Sequence, residues 1–104
     1  MGCLYKIICL PTGKAYFGIT NRTAEQRWRR GHLRNIRRHR NRNRELCNAV
    51  LQYGHQNFVV ETVAECNDWQ ELLQMERAAI VGHKTWHPHG YNSNGAKRTD
   101  NSES

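Results

Sequence analysis

Two short apolar runs near the start of the chain flank a Pro-Thr-Gly turn, and this pattern predicts a β-hairpin. With residues 12–13 at the tip of the turn, Cys9 lies opposite Tyr16. The same register sets Ile7 opposite Gly18. A slip of one residue would move Tyr16 to the other face of the hairpin, so this prediction depends on the register.

Two tyrosines share one face in this register. Side chains alternate along a strand, so Tyr5 points the same way as Tyr16. Gly18 then leaves a hollow beside the two phenols, and a strand glycine often marks the close approach of a ligand. In a basic chain, this arrangement suggests a site for a phosphate.

The rest of the pattern predicts three helices and one more strand. Thr23 and Gln26 form a capping box, which starts a helix with an apolar stripe at every fourth position: Ala24, Trp28, His32 and Ile36. A second helix is predicted over residues 44–53, a third strand over 58–63, and a last helix from about 69 to 82.

These elements indicate a small α+β domain: a three-stranded sheet, antiparallel or mixed, flanked by about three helices. We expect this domain to cover residues 1–94. Residues 95–104 are polar and lack apolar anchors, which predicts a disordered tail.

Positive charge is concentrated in the first predicted helix and the segment after it. The net charge is +7, and ten arginines but no lysine lie between positions 22 and 44. The guanidinium fork matches phosphate geometry, which favours nucleic acid over a membrane surface or plain solubility. The candidate nucleic-acid-binding residues are Lys14, Arg29, Arg30, Arg34, Arg37, Arg38, Arg40 and Arg42.

Glu76 interrupts the apolar stripe of the last predicted helix, which otherwise consists of Trp69, Leu72, Leu73, Ala79 and Ile80. A carboxylate facing a core is costly unless it is paired or binds a metal. Pairing with a nearby arginine and metal binding are both open at this point. The histidines between positions 83 and 89 surround a proline, so we expect ordinary loop residues there.

The cysteines and the hydropathy of the chain indicate in which cellular compartment the protein is found. The four cysteines form no CxxC pair, no signal peptide is evident, and no apolar run approaches the ~20 residues that span a membrane. We therefore expect isolated thiols in a cytoplasmic or nucleoid-associated protein that is neither secreted nor bound to a membrane.

Five short motifs resemble, in order, those of the GIY-YIG endonucleases, with Cys3 and Leu4 where Gly and Ile are usual. They are Cys3-Leu4-Tyr5, Tyr16-Phe17-Gly18, Arg27-Trp28, Glu76-Arg77 and Gly90-Tyr91-Asn92. The resemblance covers roughly residues 4–94. It implies an endonuclease that hydrolyses phosphodiester bonds of double-stranded or branched DNA and leaves a 5′-phosphate and a 3′-hydroxyl.

The resemblance also implies site residues and a cofactor. The candidate catalytic residues are Tyr5, Tyr16, Arg27, His32, His39, Glu76 and Asn92. Glu76 would hold Mg²⁺, with Mn²⁺ as a substitute, and Arg27 would contact the scissile phosphate. Tyr5 would orient or deprotonate the attacking water, with Tyr16 in support, and Asn92 would be structural. A phenol is a poor base at neutral pH, so a neighbouring cation (Lys14, Arg27 or a histidine) has to assist it.

The histidines depart from the family pattern. The family often places a histidine four residues after the helix arginine, where this chain has Gly31. His32 comes one residue later, about 100° around an ideal helix, and serves if the helix is distorted at Gly31. His39 best matches the second family histidine, and Asn41 fits almost as well.

Slow or absent catalysis would follow if both histidine positions fail, and two alternatives to the endonuclease stay open in any case. The first is a nucleic-acid-binding module with weak or no catalysis, and the second is a small structural protein associated with RNA. For a nuclease this small, sequence specificity has to come from the domain itself, from a homodimer or from an accessory factor.

Overall fold

The computed structural model describes residues 2–37, 44–86 and 88–92, apart from the side chains of residues 35, 37 and 44. In this part of the chain, three antiparallel strands form a single sheet. Strand β1 is Gly2–Cys9, β2 is Ala15–Thr20 and β3 is Phe58–Cys66. The strand order is β2-β1-β3, so β1 is central and both partners are antiparallel to it. The third strand is longer than its predicted span of 58–63.

The predicted register of the hairpin is wrong by two residues. Ile7 pairs with Tyr16, and Tyr5 pairs with Gly18. The reason lies in the turn, where the Gly13 N–H donates to the Cys9 carbonyl oxygen at 2.7 Å. Gly13 has a φ of 74°, a left-handed conformation that suits glycine. This geometry moves the tip of the turn back to residues 11–12.

A shift of two residues leaves every side chain on the same face of a strand, because the period of side-chain direction is two. Tyr5 and Tyr16 therefore share a face, as predicted. The predicted hollow at Gly18 is nevertheless wrong, because the Tyr5 ring fills it. A Cβ added at Gly18 would lie 2.5 Å from Tyr5 Cζ and 3.0 Å from Tyr16 Cε1.

The first helical region begins at the predicted capping box. The Gln26 N–H donates to Thr23 Oγ1 at 3.1 Å, and the Thr23 N–H donates to Gln26 Oε1 at 3.3 Å. Three elements then follow without a break: helix α1 (Ala24–Gln26), a π-helix over Arg27–Leu33, here called the π segment, and helix α2 (Arg34–Arg37).

The other helices fall close to their predicted spans. Helix α3 is Arg44–Tyr53, and a 3₁₀ turn over His55–Asn57 leads into β3. Helix α4 is Trp69–His83 and ends at Lys84, which adopts a left-handed conformation. No helix among the described residues is long and apolar enough to cross a membrane.

Two hydrophobic clusters lie on opposite faces of the sheet. The larger joins β1 and β3 to the first helical region and α3; among its members are Tyr5, Ile7, Trp28, Ile36, Leu46 and Phe58. The smaller lies beneath α4 and contains Leu4, Phe17, Leu72 and Ile80. Trp69 was predicted in the α4 stripe, but it is the first residue of the helix and is 46% exposed.

The four cysteines are free thiols, as expected. Three of them are buried, and Cys66 is half-buried. The predicted tail over residues 95–104 lies outside the described residues.

Candidate active site

Tyr5, Tyr16 and His32 form a cluster of three rings at the β2 edge of the sheet. The ring centroids of the two tyrosines are 6.3 Å apart, and those of Tyr16 and His32 are 5.3 Å apart. The Tyr5 hydroxyl oxygen lies 2.8 Å from His32 Nε2, which is hydrogen-bond distance. The phenol is the donor in this bond when Nε2 carries no proton.

The π segment explains how His32 reaches this cluster. In a π-helix the backbone hydrogen bond joins residues five apart, so residue 32 lies above residue 27 on one face of the helix. The sequence predicted that His32 can act at the site only if the helix is distorted at Gly31, and the π segment is such a distortion. His32 is buried and Trp28 packs beside it, with ring centroids 6.2 Å apart.

The Arg27 guanidinium lies across Gly31 and faces the ring cluster. A Cβ added at Gly31 would lie 3.0 Å from Arg27 Cζ and 3.2 Å from Arg27 Cδ. The positive charge of Arg27 acts on both tyrosines and on His32. The charge of Arg27 thus lowers the pKa of three titratable side chains.

Burial keeps the ring cluster neutral near pH 7. Burial and then Tyr16 raise the pKa of Tyr5 far above its usual value, and the opposing effect of Arg27 is smaller. Arg27 therefore favours the ionised form of Tyr5, as predicted for a neighbouring cation, but burial has the larger effect on the pKa. Burial and then the charge of Arg27 lower the pKa of His32 to about 4, so its imidazole is neutral and can accept a proton.

Glu76 approaches the cluster from α4, on the opposite face of the sheet. Burial and then the negative charge of Glu76 raise the pKa of Tyr16, so the carboxylate acts electrostatically on this phenol. Burial also raises the pKa of Glu76 itself, against a lowering by Arg77. Within the described part of the chain, Glu76 has no hydrogen bond or ion pair, so the structure gives no support to the alternative of a direct arginine pair.

An unpaired, half-buried carboxylate suits a hard cation. Mg²⁺ is usually held by one or two carboxylates, with waters and substrate phosphate oxygens completing its shell. Across residues 2–37, 44–86 and 88–92, no group of three or more His, Cys, Asp or Glu side chains could enclose a metal. Glu76 therefore fits a Mg²⁺ site completed by substrate, and not a site built from protein ligands alone.

Asn92 fixes the outer edge of β2 next to Tyr16. Its Oδ1 accepts hydrogen bonds from the Phe17 N–H at 3.0 Å and from Thr85 Oγ1 at 2.7 Å. Its Nδ2 donates to the Phe17 carbonyl oxygen at 3.0 Å. This geometry agrees with the structural role expected for Asn92. Thr85 was not anticipated, because no local sequence pattern links it to position 92.

The sequence profile of the GIY-YIG catalytic domain matches residues 1–92. The chain belongs to the GIY-YIG catalytic domain family. It is an endonuclease, as its motifs predicted.

Solved structures agree with the fold of this GIY-YIG domain. It is similar to the catalytic domain of the homing endonuclease I-TevI, with a TM-score of 0.75 and 18% identity over 88% of this chain and 96% of that one. A glutamate-to-alanine variant of the I-TevI domain gives a TM-score of 0.76 and 20% identity over 88% and 93%. At these identities the likeness concerns the fold alone. No curated protein matches the sequence significantly.

The arginines of the GIY-YIG domain point in more than one direction. A groove of about 700 Å³ runs from the end of β2 along the π segment, and four arginines line it: Arg22, Arg27, Arg30 and Arg34. Arg29 instead pairs with Glu25 at 3.1 Å, beside a separate cavity. Lys14 lines a third cavity near the hairpin turn. Arg22 was missed as a candidate, although it begins the arginine cluster.

The remaining predicted positions lie beyond what the structure describes. They are His39 and its alternative Asn41, Arg38, Arg40, Arg42 and the side chain of Arg37. The described members of the histidine-rich stretch, His83 and His89, are exposed.

Proposed function

We propose that this GIY-YIG domain is a metal-dependent DNA endonuclease that leaves a 5′-phosphate and a 3′-hydroxyl. One observation carries the proposal: the Tyr5 hydroxyl lies 2.8 Å from Nε2 of the buried, neutral His32. Arg27 and the unpaired carboxylate of Glu76 adjoin this pair through the ring cluster.

The pair provides a path for a proton. Tyr5 keeps its own proton near pH 7, so it does not act as a free phenolate. Its oxygen takes a proton from the attacking water while its hydroxyl proton passes to His32 Nε2. A bound phosphate supports this transfer, because a nearby negative charge raises the proton affinity of an imidazole. The water oxygen attacks phosphorus, the bond to the 3′-oxygen breaks, and the departing 3′-oxygen takes a proton from solvent to become the 3′-hydroxyl.

Arg27 and Tyr16 bind the scissile phosphate. The guanidinium donates hydrogen bonds to the non-bridging oxygens, whose charge grows in the transition state. The Tyr16 hydroxyl stays protonated because burial and Glu76 raise its pKa, so it serves as a donor to the same phosphate.

Glu76 would hold the metal ion, Mg²⁺ or in its place Mn²⁺. When bound, the ion supplies positive charge for the phosphate and for the departing 3′-oxygen. The carboxylate is suited to this role because it is half-buried and makes no ion pair with a described residue, although the charge of Arg77 acts on it. The electrostatic effect of Glu76 on Tyr16 supports a cation site close to the proposed phosphate site.

The arginine-lined groove binds the DNA backbone next to the scissile phosphate. The bound backbone runs along the groove towards Arg22 and Arg34. Contacts of this kind give affinity and orientation but little sequence selectivity. We expect sequence specificity to come from the domain itself, from a homodimer or from an accessory factor. We expect the enzyme to act in the cytoplasm, on double-stranded or branched DNA.

Plasmid cleavage tests this function. Wild-type protein is expected to nick or linearise supercoiled DNA with Mg²⁺ or Mn²⁺ and to be inactive in EDTA. Glu76→Ala abolishes cleavage, whereas the matched control Glu61→Ala, at an exposed position on β3, retains it. End-labelling of the products checks for a 5′-phosphate. DNA binding by the wild type without metal-dependent cleavage would instead support a binding module.

A further inference from the structure

Gly31 stands in the middle of the π segment, directly beneath Arg27. A methyl group at position 31 would overlap Arg27 Nη1 and would lie 3.0 Å from Cζ. The nearest neighbours of such a methyl are all side-chain atoms of Arg27. The empty side-chain position is therefore filled by the guanidinium.

Helix stability gives no reason for a glycine here. Glycine is among the least favourable residues in a helix interior, and alanine is the most favourable. The backbone at Gly31 does not need a left-handed conformation either, because Gly13 and Gly54 are the glycines with positive φ among the described residues. What remains is the space that the missing side chain leaves for Arg27.

We propose that Gly31 is a positioning residue for Arg27: its bare backbone seats the guanidinium against the Tyr5–His32 pair. The inference rests on the proposed function, since it assigns Gly31 to the phosphate-binding role of Arg27. The π segment completes the arrangement, because it lines up Arg27 with His32 while Gly31 lies between them.

Gly31→Ala separates this role from a structural one. The nearest neighbours of the added methyl are side-chain atoms of the flexible Arg27 and not backbone atoms, so the helix remains intact and gains the helix propensity of alanine. The melting temperature therefore stays the same or rises. Arg27 has to leave its seat, and a displacement of about 1 Å can cost on the order of 100-fold in rate.

The kinetic test uses a matched glycine in another helix. Gly31→Ala is expected to lower kcat for DNA cleavage about 100-fold, with KM within about threefold of wild type. Gly82→Ala leaves both unchanged, because a methyl at this position in α4 has no neighbour within 4 Å in the described structure. A Gly31→Ala enzyme with wild-type kcat would overturn the proposal.

A double-mutant cycle tests whether Gly31 acts through Arg27. Once Arg27→Ala has removed the guanidinium, adding Gly31→Ala is expected to change the rate less than twofold. If the second change still lowers the rate about 100-fold, Gly31 acts by another route and the proposal is wrong.

A measurement without DNA keeps the two proposals separate. The NMR signal of the Arg27 Nε–H group, assigned with Arg27→Lys, is expected to shift in Gly31→Ala and to stay in place in Gly82→Ala. An unshifted signal would refute the seating of Arg27. If the wild type fails to cleave DNA but the signal shifts, the proposed function fails while the positioning of Arg27 by Gly31 stands.

Discussion

Replacing His32 with glutamine is expected to remove a specific pH dependence of stability. The pKa of His32 is lowered to about 4 in the folded protein, first by burial and then by Arg27, whereas an unhindered histidine titrates near 6.5. The unfolded chain therefore binds more protons than the folded one between these two values. Stability is fully present above pH 6.5 and is lost as the pH falls towards 4.

The size of this effect follows from the two pKa values. The loss of unfolding free energy attributable to His32 is about 2 kcal/mol at pH 5 and about 3 kcal/mol at pH 4, relative to pH 7.5. Glu76 acts in the opposite direction, because burial raises the pKa of this carboxyl above its usual value. The comparison between wild type and His32→Gln cancels this contribution, since both proteins contain Glu76.

Urea denaturation at several pH values between 7.5 and 5.0 measures the difference. Glutamine is the suitable replacement, because its side-chain oxygen can accept the hydrogen bond from Tyr5 and it does not titrate. Wild type is expected to lose about 2 kcal/mol more than the variant across this range. Parallel curves for the two proteins would refute the burial of a neutral imidazole. The exposed His55 offers a control, because His55→Gln should follow the wild-type curve.

Three further predictions test other parts of the site. Glu76→Gln is expected to lower metal-dependent cleavage by at least about 100-fold and yet raise the melting temperature at pH 7, because burial raises the pKa of the carboxyl and its ionised form disfavours the fold. Asn92→Ala removes three side-chain hydrogen bonds, two of them to Phe17, and should cost about 3 kcal/mol in urea denaturation. Arg30→Ala should reduce the slope of log Kd against log salt by about one, whereas Arg29→Ala, ion-paired outside the groove, leaves it unchanged.

Each of these three predictions has a result that would contradict it. A melting temperature that falls in Glu76→Gln would show that the carboxylate has a stabilising partner. A cost below about 1 kcal/mol for Asn92→Ala would mean that water replaces its bonds to the strand. Equal salt slopes for the two arginine variants would place DNA on both sides of the first helical region.

Local rules predicted much of the fold. The capping box at Thr23 marks the start of the first helical region, and Gly54, with a φ of 85°, ends α3 where expected. The stripe Ala24, Trp28, His32 and Ile36 is buried throughout. These features depend on neighbours within a turn or two of helix, where residue spacing alone carries the information.

The error in the hairpin register concerns the position of the turn, which residue spacing does not determine. Tip positions 11–12 and 12–13 both suit the Pro-Thr-Gly sequence, and hydrogen bonds between Cys9 and the far side of the turn select the first. The sharing of a face by Tyr5 and Tyr16 survived this error because it depends on parity and not on absolute register.

Parts of the candidate site depend on contacts between distant segments. Asn92 reaches Phe17 across 75 positions of the chain, and its partner Thr85 belongs to no motif. The π segment was foreseen only as a condition on His32, because nothing in local propensity distinguishes a π turn from an α turn. The division between groove arginines and Arg29 likewise required the three-dimensional path of the helix.

Under the proposed mechanism, DNA cleavage requires both faces of the sheet to be fully packed. Arg27 and His32 arrive with the larger cluster on one face, while Glu76 arrives with α4 on the other. A nascent or half-melted chain that has assembled just one of these layers lacks either the carboxylate or the arginine–histidine pair. We therefore expect partly folded forms of the protein to lack cleavage activity, and activity to appear only once both layers have packed on the sheet.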